Sequence, residues 1–357
     1  MLSNFFRRPR KVAVLFSLAL APAFAGVVNP DLSALGQLRA QVTDDAASPD
    51  RNQPTLSPGE AEVILSAPLN PYFNGAFTFS GSENGVAVEE AYTTMVRGLP
   101  WGLGLKAGKY RLDFGKLNAA HPHAYPFIDP PRAWVSLMPG GEEGFNEGAF
   151  EVSALLPTPG DWASTVSADV IQGASFHPGD DRARVGWLGH WSNSFLIGDA
   201  GALEAGVSTA TGLDDIDTKS RGVLVGGDLK AKFTLANTAQ LTLQGEGAYR
   251  RSHKVDTATG TASPEDRAGF FVIADYRHPS RFSGGALFEQ WARAGEASVT
   301  DRAARVFAGY AVLEESTLFR ISVERFMPDG GTLGTRAVHT VSAKLLFSMG
   351  PHKAHQF

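Results

Sequence analysis

Cysteine is absent from this chain of 357 residues. Its absence excludes disulfides, thiolate metal sites and catalysis by a cysteine nucleophile. Motifs of other enzyme classes are missing too: there is no G-x-S-x-G elbow, no H-E-x-x-H motif and no phosphate-binding glycine loop before a helix pattern. His190 and Ser192 resemble a Ser/His pair, but neighbouring positions of one strand rarely give the needed geometry. We predict that the protein is not an enzyme.

Long hydrophobic runs are also lacking. The best candidate is Val12–Leu20, which follows the basic segment Arg7–Lys11 and precedes the small-x-small triplet Ala23–Ala25. This run is shorter than the roughly 20 residues that a membrane-spanning helix needs. The order of basic, apolar and small residues is typical of a secretory signal peptide, so we predict cleavage after residue 25. A membrane location would then require a closed β-barrel, which also satisfies every backbone group in lipid.

Basic residues are fewer than acidic ones. The sequence has 32 Lys+Arg against 37 Asp+Glu, and loss of the four basic residues of the signal would leave a net charge of about −9. This balance argues against nucleic acid as a partner and suggests a mild preference for cations.

Residues 26–59 are rich in Ala, Asp, Pro, Gln and Ser. We predict one short helix over Asp31–Val42 and disorder in the remainder. The segment is then either a flexible periplasmic extension or a small plug that enters the barrel.

From about residue 60 the sequence alternates with a period of two, which predicts strands with two different faces. A soluble β-sandwich alternates as well. Many segments here have about 10–13 residues, however, which suits tilted membrane-spanning strands. Aromatic residues near strand ends predict an interfacial girdle. They are Trp101, Trp134, Trp162, Trp191, Tyr249, Tyr276, Trp291 and Tyr310.

The connections alternate between short and long, as do the periplasmic turns and external loops of outer-membrane barrels. Counting from Tyr72 to Phe347 predicts an all-β, transmembrane antiparallel β-barrel of about 14 strands within residues 60–357. Glu60–Ser66 is a further apolar alternating run. It either lies inside or below the barrel, or it pairs with an unrecognised segment and makes the count about 16.

The longest loop, Lys116–Glu147, is predicted to be external and to fold inward so that it narrows the lumen. Within it, His121 and His123 are a candidate metal site that Asp129, Glu142 or Glu143 would complete. Alternatively, both histidines hydrogen-bond the loop backbone or the wall.

The strand pattern also directs charged residues of both signs inward, where they would set ion selectivity. Alternatively they pair across the wall and fill a narrow barrel. These predicted pore-lining residues are Lys109, Arg111, Asp113, Asp228, Lys230, Lys232, Glu246, Arg250, Arg320, Glu324 and Lys344.

Several motifs resemble bacterial outer-membrane porin-like proteins that are often labelled zinc-regulated TonB-dependent outer-membrane receptors. The resemblance covers about residues 60–157 and rests on Glu89–Tyr92, Leu105–Arg111, Phe114–Asn118, His121–His123, Phe127–Pro131, Glu143–Phe145 and Leu155–Pro157. The resemblance implies an outer-membrane channel, suggests a link to metal supply, and raises interest in His121, His123 and Asp129.

Together these observations predict a porin-like channel for small solutes or ions in the outer membrane. The alternatives are a receptor for zinc or another ligand with TonB-linked uptake, and a closed structural barrel that anchors a partner. Expected partners are membrane lipid, lipopolysaccharide, small solutes or metal ions, and the barrel-assembly machinery. No cofactor is expected, although zinc is a possible ligand or transported ion.

Overall fold

A computed structural model describes residues 30–82, 85–177, 184–255, 259–313 and 316–350 of the chain. The predicted signal peptide lies outside these residues. The described part is an all-β, antiparallel barrel with few helical turns. The strands are β1 Asp31–Thr43, β2 Thr55–Pro58, β3 Ala61–Pro68, β4 Phe73–Ser82, β5 Gly85–Met95, β6 Leu103–Arg111, β7 Asn146–Leu156, β8 Trp162–Ile171, β9 Gly186–Leu196, β10 Gly201–Asp215, β11 Ser220–Thr234, β12 Gln240–Val255, β13 Ala262–Arg277, β14 Phe282–Arg293, β15 Glu296–Leu313, β16 Thr317–Met327 and β17 Val338–Met349.

Each strand from β3 to β17 pairs with its sequence neighbour, and β1 pairs with both β3 and β17. These pairings close a ring of 16 strands within the described residues. The short strand β2 pairs with β1 over Leu38–Gln41, beside the stretch Asp31–Leu35 that pairs with β3. The prediction of 14 strands is therefore wrong, and the alternative of 16 is confirmed.

Strand β1 is the partner that the sequence pattern had not revealed. The predicted helix over Asp31–Val42 is wrong, and this part of the predicted extension or plug belongs to the barrel wall. The edges of β3 and β17 are both available there, and β1 pairs with them, whereas a helix at this position would leave those edges open. Gly36 leaves room for the Phe347 ring of β17 beside β1, because a Cβ at this position would come within 2.5 Å of that ring.

The two faces of the wall differ as a membrane barrel requires. On β16, Phe319, Ile321 and Val323 are 43%, 41% and 44% exposed, whereas Arg320 and Glu324 are both 7% exposed. A soluble sandwich would bury the apolar face and expose the charges. The opposite arrangement seen here places apolar side chains outward, where lipid would cover them, and charged side chains inward.

Aromatic pairs mark the barrel end that carries the short turns. Trp162 stacks on Phe195 at 5.8 Å between ring centroids, and Phe282 lies 4.6 Å from Tyr310. Two members of the predicted girdle lie elsewhere: Trp134 is buried in the loop after β6, and Trp291 is buried on the inward face of β14. The girdle prediction is wrong for these two residues, because Trp134 belongs to that loop and Trp291 packs against Ala133 of the same loop.

In the part of the chain that the structure describes, helical structure is confined to short segments. One α-helix, α1, spans Arg132–Leu137 within the loop between β6 and β7. Short 3-10 turns lie at Pro122–Ala124, Gly141–Glu143, Ala174–Phe176, Gly198–Ala200, Ala236–Thr238 and Gly331–Leu333. In the described ranges, none of these helices has the length and apolar character needed to cross a membrane.

Candidate functional site

Residues 112–145 connect β6 to β7 and lie inside the barrel; we call this segment the inner loop. Its two ends are joined by Asn118, whose side chain is fully buried. The Asn118 amide nitrogen donates to the main-chain oxygens of Leu112 at 2.7 Å and Phe145 at 3.0 Å, and its oxygen accepts from the Phe145 N–H at 2.9 Å. The loop therefore leaves and re-enters the wall at one fixed point.

The inner loop contributes much of the hydrophobic core of the molecule. Phe127 is fully buried and packs edge-on against Phe307 of β15, with ring centroids 6.2 Å apart. At the far end, Phe145 contacts Phe176 at 5.7 Å. Inward residues of six further wall strands join the same cluster: Ile171, Leu188, Ala210, Leu224, Phe271 and Leu287. The loop thus packs against the wall on several sides of the lumen.

Wall oxygen atoms accept hydrogen bonds from the loop backbone. Glu246 of β12 accepts from the N–H groups of Leu117 at 2.8 Å and Lys116 at 3.2 Å. Glu289 of β14 accepts from the N–H of Ala133, at the start of α1, at 2.8 Å. Each of these bonds gives a backbone N–H of the loop an acceptor away from water. They place the loop at fixed heights against two wall strands.

Gly115 permits the close approach at Glu246. Its φ is +64°, a conformation that favours glycine, and a Cβ there would lie 2.3 Å from Glu246 Oε2. A larger residue would be strained at this φ, and its Cβ would displace the Glu246 carboxylate from its present position.

Wall arginines bind the carbonyl groups of the same loop. Arg267 donates to the main-chain oxygen of Ser136 at 2.7 Å, and Arg250 donates to the main-chain oxygen of Leu137 at 3.2 Å. Further along the wall, Arg320 of β16 donates to the main-chain oxygen of His123 at 3.1 Å, and Arg305 of β15 donates to the main-chain oxygen of Asp129. Loop donors thus meet wall acids, and loop acceptors meet wall arginines.

Side-chain ion pairs add to these backbone contacts. Arg132 of the loop pairs with Glu324 of β16 at 2.6 Å, and Glu324 also pairs with Arg305 on the adjacent strand. Asp129 pairs with Arg39 of β1 at 2.7 Å. The loop is therefore tied electrostatically to the strands at which the barrel closes.

Most predicted pore-lining residues lie on the inward faces of their strands, opposite exposed apolar residues. These are Asp228, Lys230, Lys232, Glu246, Arg250, Arg320, Glu324 and Lys344. Arg111 is buried against Glu89 at 2.7 Å, and Asp113 is partly buried in the inner loop. Four of the inward residues hold the loop, so their charges are already engaged; their effect on ion passage stays a prediction.

Lys109 is an exception. It precedes Tyr110, which is fully buried and donates to Asp169 at 2.8 Å. Because side chains alternate along a strand, Lys109 points to the opposite face of β6. Its ammonium group donates to the main-chain oxygen of Val88 at 2.8 Å. The prediction that Lys109 lines the lumen is wrong.

His121 and His123 lie together, with stacked rings 5.3 Å apart. Their acidic neighbours come from the wall: His123 Nδ1 lies 3.1 Å from Glu62 Oε1, and His121 Nε2 lies 3.0 Å from Glu90 Oε2. Asp129 does not join them, since its carboxylate pairs with Arg39, and the prediction that it completes a site is wrong.

The environment of His121 favours its charged form. Burial alone would lower its pKa, but the hydrogen bond to Glu90 and the charges of Glu90, Glu89 and Glu62 outweigh burial and raise the pKa of His121. For Tyr125 of the same loop, burial raises the pKa of the phenol and keeps it neutral.

The wall residues Glu62, Glu90, Glu289 and Arg305 were not singled out as site residues by the sequence. Glu89–Tyr92 belongs to the motifs of the resemblance, and that was the available signal for Glu90. The others lie on ordinary alternating strands, where nothing local distinguishes them from solvated charges.

Comparison with known proteins supports the fold. No family model matches this chain. A relative from Aquifex aeolicus (strain VF5), described as an uncharacterized protein, is 32% identical over 255 residues. The match includes 64% of this chain, and the chain spans about half (53%) of the length of that relative.

Solved outer-membrane barrels share the architecture at low sequence identity. The loop L8 deletion mutant of OmpT, an outer-membrane protein of Vibrio cholerae, has a TM-score of 0.59 at 12% identity, covering 91% of this chain and 100% of that chain. The outer-membrane channel DcaP of Acinetobacter baumannii has 0.61 at 10%, covering 90% and 97%. Salmonella typhi OmpF in complex with daunomycin has 0.60 at 12%, also covering 90% and 97%.

Proposed function

We propose that this chain forms a porin-like passage for small hydrophilic solutes or ions across a bacterial outer membrane. The observation that carries the proposal is the ring of 16 strands with an apolar outward face, a charged inward face and a loop held within the lumen. Similarity to the DcaP channel and to OmpF adds support at the level of architecture.

The inner loop is the element that would set the size limit of the passage. It is held on β12, β14 and β16 by Glu246, Glu289 and Glu324, so the constriction has a defined shape. Selectivity would then arise from inward-facing charged groups that stay partly exposed, such as Lys230 and Lys232.

Planar-bilayer recording of the purified full chain tests the proposal. We expect stepwise ion conductance and a reversal potential that moves toward cation selectivity in Lys230→Glu, because Lys230 faces inward. The matched control is Arg251→Glu, where the exposed arginine pairs with Asp266 at 2.7 Å outside the lumen; it should leave the reversal potential unchanged. A folded, inserted protein that passes no current would overturn the channel proposal.

A barrel that captures a ligand or anchors a partner without passing solutes is the second candidate. The observation that favours it is the apolar packing of the loop against inward residues of many strands, which fills much of the lumen. Absent conductance together with saturable zinc binding, or with a stably co-purifying protein, would favour this candidate. TonB-linked uptake would additionally require energy-dependent accumulation in cells.

A further inference from the structure

Three potential ligand atoms converge where the inner loop meets strand β3. Glu62, His121 and His123 each offer one oxygen or nitrogen, and these atoms lie within 4.8 Å of one another. Two imidazoles and a carboxylate are a donor set that suits zinc and similar first-row divalent cations. The histidines come from the loop and the glutamate from the wall, so a bound cation would bridge the two.

Unsatisfied buried atoms face the centre of this group. Glu62 is 1% exposed, and its Oε2 accepts no hydrogen bond. His121 Nδ1 is likewise buried without a hydrogen-bond partner, and the two atoms lie 3.9 Å apart. That separation is too long for a hydrogen bond. Leaving such groups unsatisfied costs free energy, and a cation between them would satisfy both.

A second carboxylate is placed to orient one of the histidines. His121 Nε2 lies 3.0 Å from Glu90 Oε2, and Glu90 Oε1 accepts a hydrogen bond from the main-chain N–H of Arg111 at 3.0 Å. Metal-binding histidines almost always donate their second ring N–H to such a partner. With Nε2 donating to Glu90, an incoming cation would displace the proton of His121 Nδ1 and bind the lone pair that this leaves toward Glu62.

The surrounding charge also favours a cation. Glu60 and Glu89 lie with Glu62 in a second group of carboxylates whose ligand atoms are within 4.8 Å of one another. Arg111 compensates Glu89 at 2.7 Å. The remaining negative charge would concentrate cations at this position.

We propose that Glu62, His121 and His123 bind one divalent cation of the zinc class, with Glu90 as the positioning residue, and that the cation clamps the inner loop to β3. Binding itself is independent of channel activity. Only the effect of the clamp on ion current depends on the proposed function.

Zinc titration of the chelator-treated, detergent-folded full chain tests the site. We expect one high-affinity zinc per chain, at least about 10-fold weaker binding in Glu90→Gln, and loss of high-affinity binding in His121→Gln/His123→Gln. The control is His253→Gln, which removes a different histidine–carboxylate pair, with Asp214 at 3.4 Å, and should bind as the wild type does.

Cobalt substitution supplies a readout that does not depend on stability or current. The wild type should give the intense visible absorption of low-coordinate cobalt with nitrogen ligands, and Glu62→Gln should weaken it. If the histidine double variant does not fold, Glu62→Gln and Glu90→Gln decide the question. Unchanged zinc affinity in these variants, or a wild type that binds no zinc, overturns the proposed site.

Current measurements then separate the two proposals. In conducting protein, zinc should reduce current fluctuations in the wild type and leave them unchanged in the double variant. Zinc binding without any current supports the site and contradicts the passage, whereas current without zinc binding does the reverse.

Discussion

The outward face of the barrel and the inner loop obey different rules. Outward residues such as Ile321 and Val323 need only be apolar, because fluid lipid would accommodate any shape. Loop residues such as Phe127 and Asn118 fit specific partners at close range and are fully buried. The comparison teaches that the outward face tolerates changes of side-chain shape but not of polarity, whereas the inner loop tolerates neither.

The largest effect should come from a cavity under the loop. Phe127→Ala removes a fully buried ring that contacts Tyr125 and Phe307, and should weaken loop docking by about 3–5 kcal/mol. Hydrogen exchange across residues 112–145 measures this loss. The matched control is Phe319→Ala on the outward face, which should leave exchange in the loop unchanged. Equal exchange rates in both variants would contradict the difference proposed between the inner loop and the outward face.

A charge on the outward face should come next. Leu229→Lys, at a position 52% exposed on β11, should lower the free energy of unfolding in lipid by about 2–4 kcal/mol. The adjacent inward change Lys230→Gln should cost less than about 1 kcal/mol. Denaturant unfolding in vesicles measures both. If the inward change proves the costlier one, the assignment of the two faces is reversed.

Loss of one backbone anchor should have an intermediate effect. Glu246→Ala leaves the N–H groups of Lys116 and Leu117 without their acceptor, at a cost of about 1.5–3 kcal/mol to local loop stability. Amide exchange at these two residues should accelerate, and single-channel current should become noisier. Unaltered exchange at both amides would show that Glu246 does not hold the loop.

The smallest effect is expected at an ion pair that belongs to neither region. Arg251 and Asp266 pair at 2.7 Å with side chains that are about half exposed. Asp266→Asn should change stability by less than about 1 kcal/mol, since exposed pairs contribute little. A loss comparable to that of Leu229→Lys would mean that this rim pair supports the barrel.

The wall was largely predictable because its signal is local. Alternation along β11 and β16 can be read from consecutive residues, and the structure confirms it. Strand β1 misled the prediction, because Leu32, Leu35, Leu38 and Val42 recur at the spacing of a helix face. Pairing with two distant strand edges overrides this local pattern.

The contacts of the inner loop could not be predicted, because each depends on residues far apart in sequence. Glu246 binds Leu117 across 129 positions, and His123 meets Glu62 across 61. A two-histidine motif shows that ligands are available but does not show which carboxylate lies nearby. The sequence therefore singled out the two neighbouring histidines but named Asp129 as their acidic neighbour, a place that Glu62 and Glu90 occupy in the structure.

Closure of the ring joins the chain's extremes, since Ala34 of β1 pairs with Met349 of β17. Among the described residues, this seam joins the strands that lie farthest apart in sequence, and contacts between such distant segments form slowly. Until the seam forms, the sheet retains two open edges, which are templates for aggregation. Substitutions that weaken the seam, such as Gly36→Val beside Phe347, should therefore prolong the open state and reduce the yield of folded protein more than they alter the finished barrel.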